Sequence, residues 1–160
     1  DYETATSVTA TVTATDANSN TSSQVITVTV DNVNDNSPVF TSSDSFSIDE
    51  GNTQAFGTVT ATDADGNGIT YSISGSDITI DASTGVMTFV TAPDYETKST
   101  YTATVTATET ASVAGVPGGN SSTQAITVAI NDVGGIDDDP GTGTGTSTST
   151  GTSTGTSTGG

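Results

Sequence analysis

Alternation of polar and apolar side chains is the dominant pattern of this chain. From Thr100 to Thr108, Thr occupies every even position, and Tyr, Ala or Val occupies every odd one. A period of two is typical of a β-strand with one buried face. Six further short runs show the same alternation, so the sequence predicts seven strands. Those runs contain Phe46/Ile48, Val59/Ala61, Ile69/Tyr71/Ile73, Ile78/Ile80, Met87/Phe89 and Ile126/Val128/Ile130.

Turn-forming residues separate the predicted strands. DADGNG, at Asp63 to Gly68, and DASTG, at Asp81 to Gly85, are examples. Seven strands in under about 100 residues favour an all-β fold, a Greek-key β-sandwich of immunoglobulin-like build. The inward-facing residues are mostly Ala and Val, which predicts a thin core that bound metal would help to stabilise.

Internal repetition indicates the domain boundaries. DYET occurs at Asp1 to Thr4 and again at Asp94 to Thr97, and SSQVITVTVDNV from Ser22 matches STQAITVAINDV from Ser122. The second copy carries a longer loop at Thr110 to Asn120. We therefore divide the chain into three parts: residues 1–36, the C-terminal part of a preceding repeat with its connector; residues 37–134, a complete repeat; and residues 135–160, an acidic stretch and then a linker or stalk.

Residues 1–36 hold only the last two or three strands of a repeat. Apolar side chains such as Val8, Val12, Ile26 and Val28 therefore have no sheet to pack against within this chain. We expect either an upstream half-repeat or strands donated by another subunit. The chain begins at Asp1 without a Met or a signal peptide, and we expect it to be a piece of a longer exported protein.

The C-terminal segment, residues 141–160, contains only Gly, Thr and Ser. Without apolar side chains it cannot offset the entropy of ordering, which predicts a flexible linker. Its many hydroxyl groups leave an O-glycosylated stalk open as an alternative.

The charge balance narrows the class of partner. The sequence holds 19 acidic residues against one basic residue, Lys98, with neither His nor Cys, for a net charge of −18. This charge disfavours nucleic acid and anionic membranes. Without Cys and His the chain has no thiol or imidazole chemistry, no usual zinc site and no disulfide framework. No apolar run approaches the roughly 18 residues of a membrane span, so we expect no membrane insertion in this segment.

Oxygen-bearing side chains crowd into the link between the two repeat segments. NVNDNSP, from Asn32 to Pro38, offers Asn34, Asp35 and Asn36 in succession. Calcium takes six to eight oxygen ligands from carboxylates, amides and backbone carbonyls. The run therefore predicts a Ca²⁺ site, although a simple Asn/Asp-rich turn would have the same composition.

Several separate motifs together resemble cadherin repeats. NVNDNSPVF is similar to the family connector DxNDNxPxF, with Asn32 in place of the usual Asp. SIDEG resembles the xEx motif, DYE the DxE motif, ATDADGNGITYSI the DxD segment, and IDASTG the IDxxTG turn. The resemblance covers roughly residues 1–133, and it is greatest to the Thr-rich, Cys-free cadherin-like arrays of large bacterial surface proteins.

The resemblance implies a calcium cluster at each junction between repeats. At the first junction the implied ligands come from the DxE acids, the connector, the DxD pair, a backbone donor and the end of the sixth strand. In that order they are Asp1 and Glu3; Asn34, Asp35 and Asn36; Asp63 and Asp65; Asn67; and Glu109. Glu109 stands where the family normally has Asp.

The second junction is predicted to be weaker. Glu50, Asp94 and Glu96 match the xEx and DxE acids, and Asp132 is a further candidate ligand. However, the connector NDVGGIDDDP, residues 131–140, lacks NDNxP, and no following repeat completes the cluster. We expect a partial site of lower affinity, and a solvated acidic run explains the same residues equally well.

These features favour a calcium-stiffened structural or adhesive module of an extracellular array or surface fibre. Its expected partners are neighbouring repeats and homotypic or cell-surface contacts. An alternative is recognition of ice or carbohydrate by the outward rows of Thr, such as Thr9, Thr11, Thr13 and Thr15, although Thr is common on exposed strands. An acid pair such as Asp63/Asp65 could form a hydrolase dyad, but no pocket-forming aromatic cluster accompanies it, so we predict no enzyme.

Overall fold

All regular elements in the described part of the chain are β-strands. The computed structural model describes residues 1–111, 115 and 117–134. Its strands are β1 (Ser7–Thr15), β2 (Thr21–Thr29), β3 (Val39–Phe40), β4 (Ser45–Asp49), β5 (Gly57–Thr58), β6 (Ala61–Thr62), β7 (Ile69–Ile73), β8 (Ile78–Ile80), β9 (Val86–Phe89), β10 (Thr100–Glu109) and β11 (Ser121–Asn131). The predicted tail, residues 141–160, and the acidic run Asp137 to Asp139 lie outside the described residues.

Two sheets form a sandwich around one core. One sheet has the order β4-β11-β10-β7, in which β4 runs parallel to β11, and the facing sheet has the order β5-β9-β8. Apolar side chains of both sheets meet in a single cluster that includes Met87, Val105, Ile126 and Val128, each at most 1% exposed. The predicted all-β, immunoglobulin-like sandwich is confirmed.

The inward and outward assignment of β10 is also correct. Val105 and Ala107 are buried, Tyr101 and Ala103 are half-buried, and Thr100, Thr102 and Thr104 are exposed. The predicted predominance of Ala in the core is wrong, because the buried apolar residues among those described include four Ile and three Val but one Ala. Aromatic rings extend this core to one side. Phe56 lies 5.2 Å from Phe89, which lies 4.9 Å from Tyr101, measured between ring centroids.

The continuous strand predicted across Val59 and Ala61 is wrong. The structure has two short strands there, because the chain changes sheets: β5 pairs with β9, whereas β6 pairs with β3. At the break, the Val59 N–H donates to the Gly85 carbonyl (3.0 Å). Gly85 has a φ of +71°, and a Cβ atom on it would collide with the Val59 carbonyl. The strand β3 is an addition that the alternation of side chains did not predict.

Strands β1 and β2 form a separate antiparallel hairpin. It has the same register as β10 and β11: Val8 faces Val28 just as Tyr101 faces Val128. Every residue of β1 and β2 is exposed, including Ile26 at 40% and Val12 at 53%. No strand in the described part of the chain covers this apolar face, as the sequence led us to expect.

Candidate metal centre at the repeat junction

Strand pairing brings three chain segments to one end of the sandwich. The connector, residues 32–38, lies between β2 and β3, and the pairing of Val39 with Thr62 places the loop that begins at Asp63 beside it. The pairing of Glu109 with Ile69 brings the end of β10 to the other side of that loop. The predicted connector, DxD and sixth-strand residues therefore meet because of the sheet register.

Three carboxylates converge where the hairpin segment meets the connector. Glu3, Asp35 and Asp65 each offer an oxygen atom, and these atoms lie within 4.8 Å of one another. Asp65 is only 4% exposed, whereas the other two are open to solvent. Ionised carboxylates only accept hydrogen bonds and repel one another, so this arrangement favours a cation between them.

The environment keeps Asp65 ionised. Burial acts to raise the pKa of its carboxyl, but hydrogen bonds with the Asn36 backbone and side chain, the Glu3 side chain and the Asp35 backbone together hold the pKa below its ordinary value of 3.8. The Asn36 backbone N–H donates to Asp65 Oδ2 (2.9 Å), and Asn36 Nδ2 donates to Asp65 Oδ1 (3.0 Å). One connector residue thus orients the most deeply buried acid of the group.

Four buried oxygens around the connector accept no hydrogen bond among the described residues. They are Asn32 Oδ1, Asp63 Oδ2, Asn67 Oδ1 and Glu109 Oε1. A buried polar atom without a partner costs about 1 to 3 kcal/mol, and native proteins contain few of them. Four such acceptors at one end of the repeat, beside three carboxylates, form an oxygen-only set that suits a hard cation.

The hydrogen bonds that Asp63, Asn67 and Glu109 do make involve the other polar atom of each side chain. Asp63 Oδ1 accepts from the Asn67 backbone N–H (3.1 Å), while Asn67 Nδ2 donates to the carbonyls of Thr110 and Pro117. Glu109 Oε2 accepts from Asn34 Nδ2 (2.6 Å). In each case one polar atom of the side chain is held by the protein, and a side-chain oxygen is left for another partner.

Asp1 is a predicted ligand of the first junction that lies outside the three-acid group and whose two carboxylate oxygens both accept hydrogen bonds. Its Oδ1 accepts from the Glu3 backbone N–H (3.2 Å), and its Oδ2 accepts from the Thr4 hydroxyl (2.8 Å). Asp94 caps the second copy of this turn in the same way, through the Thr97 backbone N–H and hydroxyl. Asp1 therefore shapes the turn that presents Glu3.

Two residues of this centre were missing from the predicted ligand set. Asn32 Nδ2 donates to the Asp65 carbonyl (2.9 Å), and Asn120 Nδ2 donates to Asn34 Oδ1 (2.9 Å) and the Asn36 carbonyl (2.7 Å). In the sequence, Asn32 stands out only as a departure from the family motif. The signal for Asn120 was present in the repeat alignment, because Asn20 occupies the same place before the last strand of the first copy.

The opposite end of the complete repeat carries a second acidic group. Oxygens of Glu50, Asp94 and Glu96 lie within 4.8 Å of one another. Glu50 is also tied to the backbone, since its Oε2 accepts from the Tyr95 N–H and its Oε1 from the Val133 N–H (both 2.8 Å). The Thr97 hydroxyl and backbone N–H hold the pKa of Asp94 below its ordinary value. Asp132 is exposed and lies outside this group.

A family model decides the identity of the fold. The cadherin domain model matches residues 44–131, which is more than half of the chain. This chain belongs to the cadherin family. The sequence-based resemblance is thereby confirmed, and the sandwich described above is a cadherin repeat.

Solved cadherin structures share this architecture. Protocadherin gammaB7 repeats EC3-6, solved as a cis-dimer, match with a TM-score of 0.72 and 27% identity over 82% of this chain and 34% of theirs. Mouse cadherin-23 EC22-24 matches with a TM-score of 0.62 and 26% identity over 83% of this chain and 45% of its own. The chain thus spans less than half the length of either relative. A comparison with curated proteins gave no match.

Family membership bears on the other predictions at a coarse level. Cadherin domains are extracellular adhesion modules rather than enzymes, and they generally bind Ca²⁺. The comparisons lend no support to ice or carbohydrate recognition. In the described part of the chain, no helix has the length and apolar character required to cross a bilayer.

Proposed function

We propose that this chain is a calcium-stiffened structural or adhesive segment of an extracellular cadherin-like array, with its principal metal centre at the first junction. The observation that carries the proposal is the oxygen set at that junction: three converging carboxylates beside four buried oxygens without hydrogen-bond partners. Calcium would supply positive charge there and satisfy these acceptors together.

The residues that would hold the ion come from both sides of the junction. Glu3 belongs to the hairpin segment, Asp35 to the connector, and Asp65 to the complete repeat. Asp63, Asn67 and Glu109 would add oxygens from the complete repeat, and Asn32 would add one from the connector. Asn34 Oδ1 and the Asn36 carbonyl already accept hydrogen bonds from Asn120. An ion held by all three segments would fix the direction of one repeat relative to the next, which is how a linear array acquires stiffness.

In this proposal the chain has three parts. Residues 1–36 form the end of a preceding repeat and its connector, residues 37–134 form a complete repeat, and residues 135–160 form a linker or stalk. The expected partners are the neighbouring repeats, with homotypic or cell-surface contacts of the assembled array. Support comes from the repeated sequence and from the matching register of the two hairpins. Bacterial surface proteins remain the expected setting for such a Thr-rich, Cys-free array.

The second junction is a lower-affinity site in this proposal. Glu50, Asp94 and Glu96 supply three carboxylates, but Glu50 already accepts two backbone hydrogen bonds. Among the described residues, the buried oxygens without a hydrogen-bond partner include none from Glu50, Asp94 or Glu96, in contrast to the first junction.

Calcium titration of the chain tests the proposal. Because an ion that binds only the folded form stabilises it, a concentration of 100 times Kd adds about 2.7 kcal/mol for each independent site. We expect calorimetric binding, a higher melting temperature, and a maximum dimension in small-angle scattering that becomes better defined with millimolar Ca²⁺. Affinities near 10⁻⁴ to 10⁻³ M are usual for extracellular modules, so a chelator should reverse each effect.

Matched substitutions locate the site. Asp35→Ala and Asp65→Ala remove converging carboxylates and should each weaken binding by at least about tenfold, since even outer-shell partners of metals are worth 10- to 100-fold. Asp44→Ala is the control, because Asp44 is an exposed acid outside the group. If millimolar Ca²⁺ changes neither the melting temperature nor the scattering profile, or if all three variants bind alike, the proposal is wrong.

A further inference from the structure

The side chain of Asn120 joins the connector to the complete repeat. Asn120 directly precedes β11, at the end of the loop that is longer in the second copy. Its Nδ2 donates to Asn34 Oδ1 (2.9 Å) and to the Asn36 carbonyl (2.7 Å), and its backbone N–H donates to Glu109 Oε2 (3.0 Å). One amide thus uses both of its N–H groups on the connector.

The first hairpin provides an internal comparison. Asn20 precedes β2 as Asn120 precedes β11, and Asp16 corresponds to Glu109. The backbone frame is the same, because the Asp16 N–H donates to the Asn20 carbonyl (2.9 Å) and the Glu109 N–H to the Asn120 carbonyl (3.0 Å). The Asn20 amide, however, donates back to Asp16 Oδ2 (2.8 Å). The same residue type therefore serves its own loop in one copy and the connector in the other.

Glu109 also contacts the connector, for which the first hairpin has no counterpart among the described residues before β1. Its Oε2 accepts from Asn34 Nδ2 as well as from the Asn120 backbone N–H. The Asn120 amide is then free to donate to the other oxygen-bearing groups of the connector. The departure from the family's usual Asp at this position is thus part of the contact with the connector.

Further hydrogen bonds attach the connector to the same repeat. Asn32 Nδ2 donates to the Asp65 carbonyl, Asn34 Nδ2 to the Pro117 carbonyl (2.6 Å), and the Asn36 N–H to Asp65 Oδ2. None of these bonds requires a cation. Toward the hairpin segment, by contrast, the acid that converges on Asp35 and Asp65 is Glu3, and a cation among the three carboxylates would offset their mutual repulsion.

We propose that Asn120 is a latch that keeps the connector docked on the complete repeat in the absence of metal, so that calcium has only to capture the preceding repeat. Val30 is bound to the hairpin, since its N–H donates to the Thr6 carbonyl (3.0 Å), and Asn32 is bound to the complete repeat. The metal-free hinge therefore lies at Asp31. Asn120 is a positioning residue in this scheme: it touches no proposed cation and acts through Asn34 and Asn36.

The latch goes beyond the proposed function and does not depend on it. It acts before any metal binds, and its effect on calcium affinity is the only part that rests on a calcium site. Two neutral hydrogen bonds, each with a modest net contribution, shift a docking equilibrium by about 10- to 100-fold. We expect this factor in the opening of the connector when both bonds are removed.

Amide hydrogen exchange in the presence of a chelator measures the latch directly. The Asn36 backbone N–H is the reporter, because its acceptor, Asp65 Oδ2, belongs to the complete repeat. In the wild-type chain with EGTA we expect this amide to be protected, and in Asn120→Ala we expect its protection factor to fall by about 10- to 100-fold. The Tyr71 amide, which donates to the Ala82 carbonyl, should be unchanged if the sandwich is intact.

Two further variants separate donation from packing. Asn120→Asp keeps the size of the side chain but has no N–H groups, so it should lose protection as Asn120→Ala does. Asn20→Ala changes the equivalent residue of the hairpin and should leave the Asn36 amide protected.

An unprotected Asn36 amide in the wild-type chain with EGTA overturns the latch, and this result requires no variant to fold. Full protection in Asn120→Asp or in Asn120→Ala overturns it as well. Because all these measurements are made without metal, a failed latch and a failed calcium titration are distinct results.

Discussion

The two hairpins of this chain have nearly the same sequence and opposite surroundings. Ile126 in β11 and Ile26 in β2 occupy equivalent places, and each lies across from an Ala on the neighbouring strand. Ile126 is 1% exposed and Ile26 is 40% exposed. The alternating pattern therefore determines the strand and its inward face in both copies, but whether that face is buried depends on strands that only the complete repeat contains.

The comparison also separates register from loop length. The loop of the first hairpin runs from Asp16 to Asn20, whereas that of the second runs from Thr110 to Asn120. Yet Ala14 faces Ser22 in one copy just as Ala107 faces Ser122 in the other. A shift by one residue would turn every apolar side chain to the wrong face. The side-chain pattern is therefore what specifies register here.

The largest difference between the copies is expected for truncation of the equivalent isoleucines. Ile126→Ala removes a side chain that both sheets surround and should lower the free energy of unfolding by about 2 to 5 kcal/mol. Ile26→Ala should change it by less than about 0.5 kcal/mol, because its site is open. Chemical denaturation followed by circular dichroism measures both. A large effect of Ile26→Ala would show that another chain segment or subunit covers the first hairpin in solution.

Hydrogen exchange should show the same asymmetry without any substitution. Amides of β11 are expected to exchange only on global unfolding, whereas an isolated two-stranded hairpin is marginal, so amides of β2 should exchange at least about 100-fold faster. Equivalent residues such as Val28 and Val128 allow a matched comparison by NMR. Equal protection of the two strands would contradict the exposed state of the hairpin.

Protonation of Asp81 at acid pH should destabilise the sandwich, whereas protonation of Asp16 should not. The Thr84 backbone N–H, the Thr84 hydroxyl and the Ser83 N–H hold the pKa of Asp81 below its ordinary value of 3.8. A pKa depressed by folding contributes stability above the unfolded-state pKa, and this contribution is lost as the pH falls through the folded-state pKa. Asp81→Asn should therefore lower the melting temperature at neutral pH, with a difference that shrinks below about pH 4.

The matched control for this titration is Asp16→Asn. Asp16 also has a lowered pKa, but it lies in the hairpin, whose opening is separate from unfolding of the sandwich. Its substitution should leave the melting temperature of the sandwich unchanged at every pH. An Asp81→Asn difference that stays constant from neutral to acid pH would show that the carboxylate charge does not stabilise the turn.

The smallest expected effect concerns the two equivalent asparagines. Hydrogen bonds from the Asn20 side chain, followed by its backbone N–H, are the main causes of the lowered pKa of Asp16. Asn20→Ala should therefore raise the pKa of Asp16 toward its ordinary value, and Asn120→Ala should leave it unchanged. Titration of the Asp16 carboxyl carbon chemical shift measures this. An unchanged pKa in Asn20→Ala would mean that the side-chain bond is not formed in solution.

Much of the candidate centre could be predicted because its acids and amides stand in contiguous motifs. Asp35 lies within the connector, and Asp63 and Asp65 lie in one loop, so their local spacing indicates a shared role. Asn120 could not be ranked as a ligand or a contact in this way. Its alignment with Asn20 marks a repeated position but not a contact, because its partners Asn34 and Asn36 are more than 80 positions away in the sequence.

The split strand at Val59 shows the same limit within the fold. Alternation predicted one strand, because side-chain direction is a property of the local backbone. At the break the Val59 N–H still donates to Gly85 beside β9, whereas the Thr60 carbonyl accepts from the Thr41 N–H beside β3. Local periodicity contains no information about these partners.

The sequence alone determined most of the strands, the inward face of β10 and the residue types that suit a hard cation, since each depends on neighbouring positions or on composition. Only the tertiary structure decided which oxygens lie together, which of them lack hydrogen-bond partners, and that Asn120 turns toward the connector. The reason is geometric: sheet pairing between residues distant in sequence sets these distances, and Glu3, Asp35 and Asp65 meet within 4.8 Å only after it has formed.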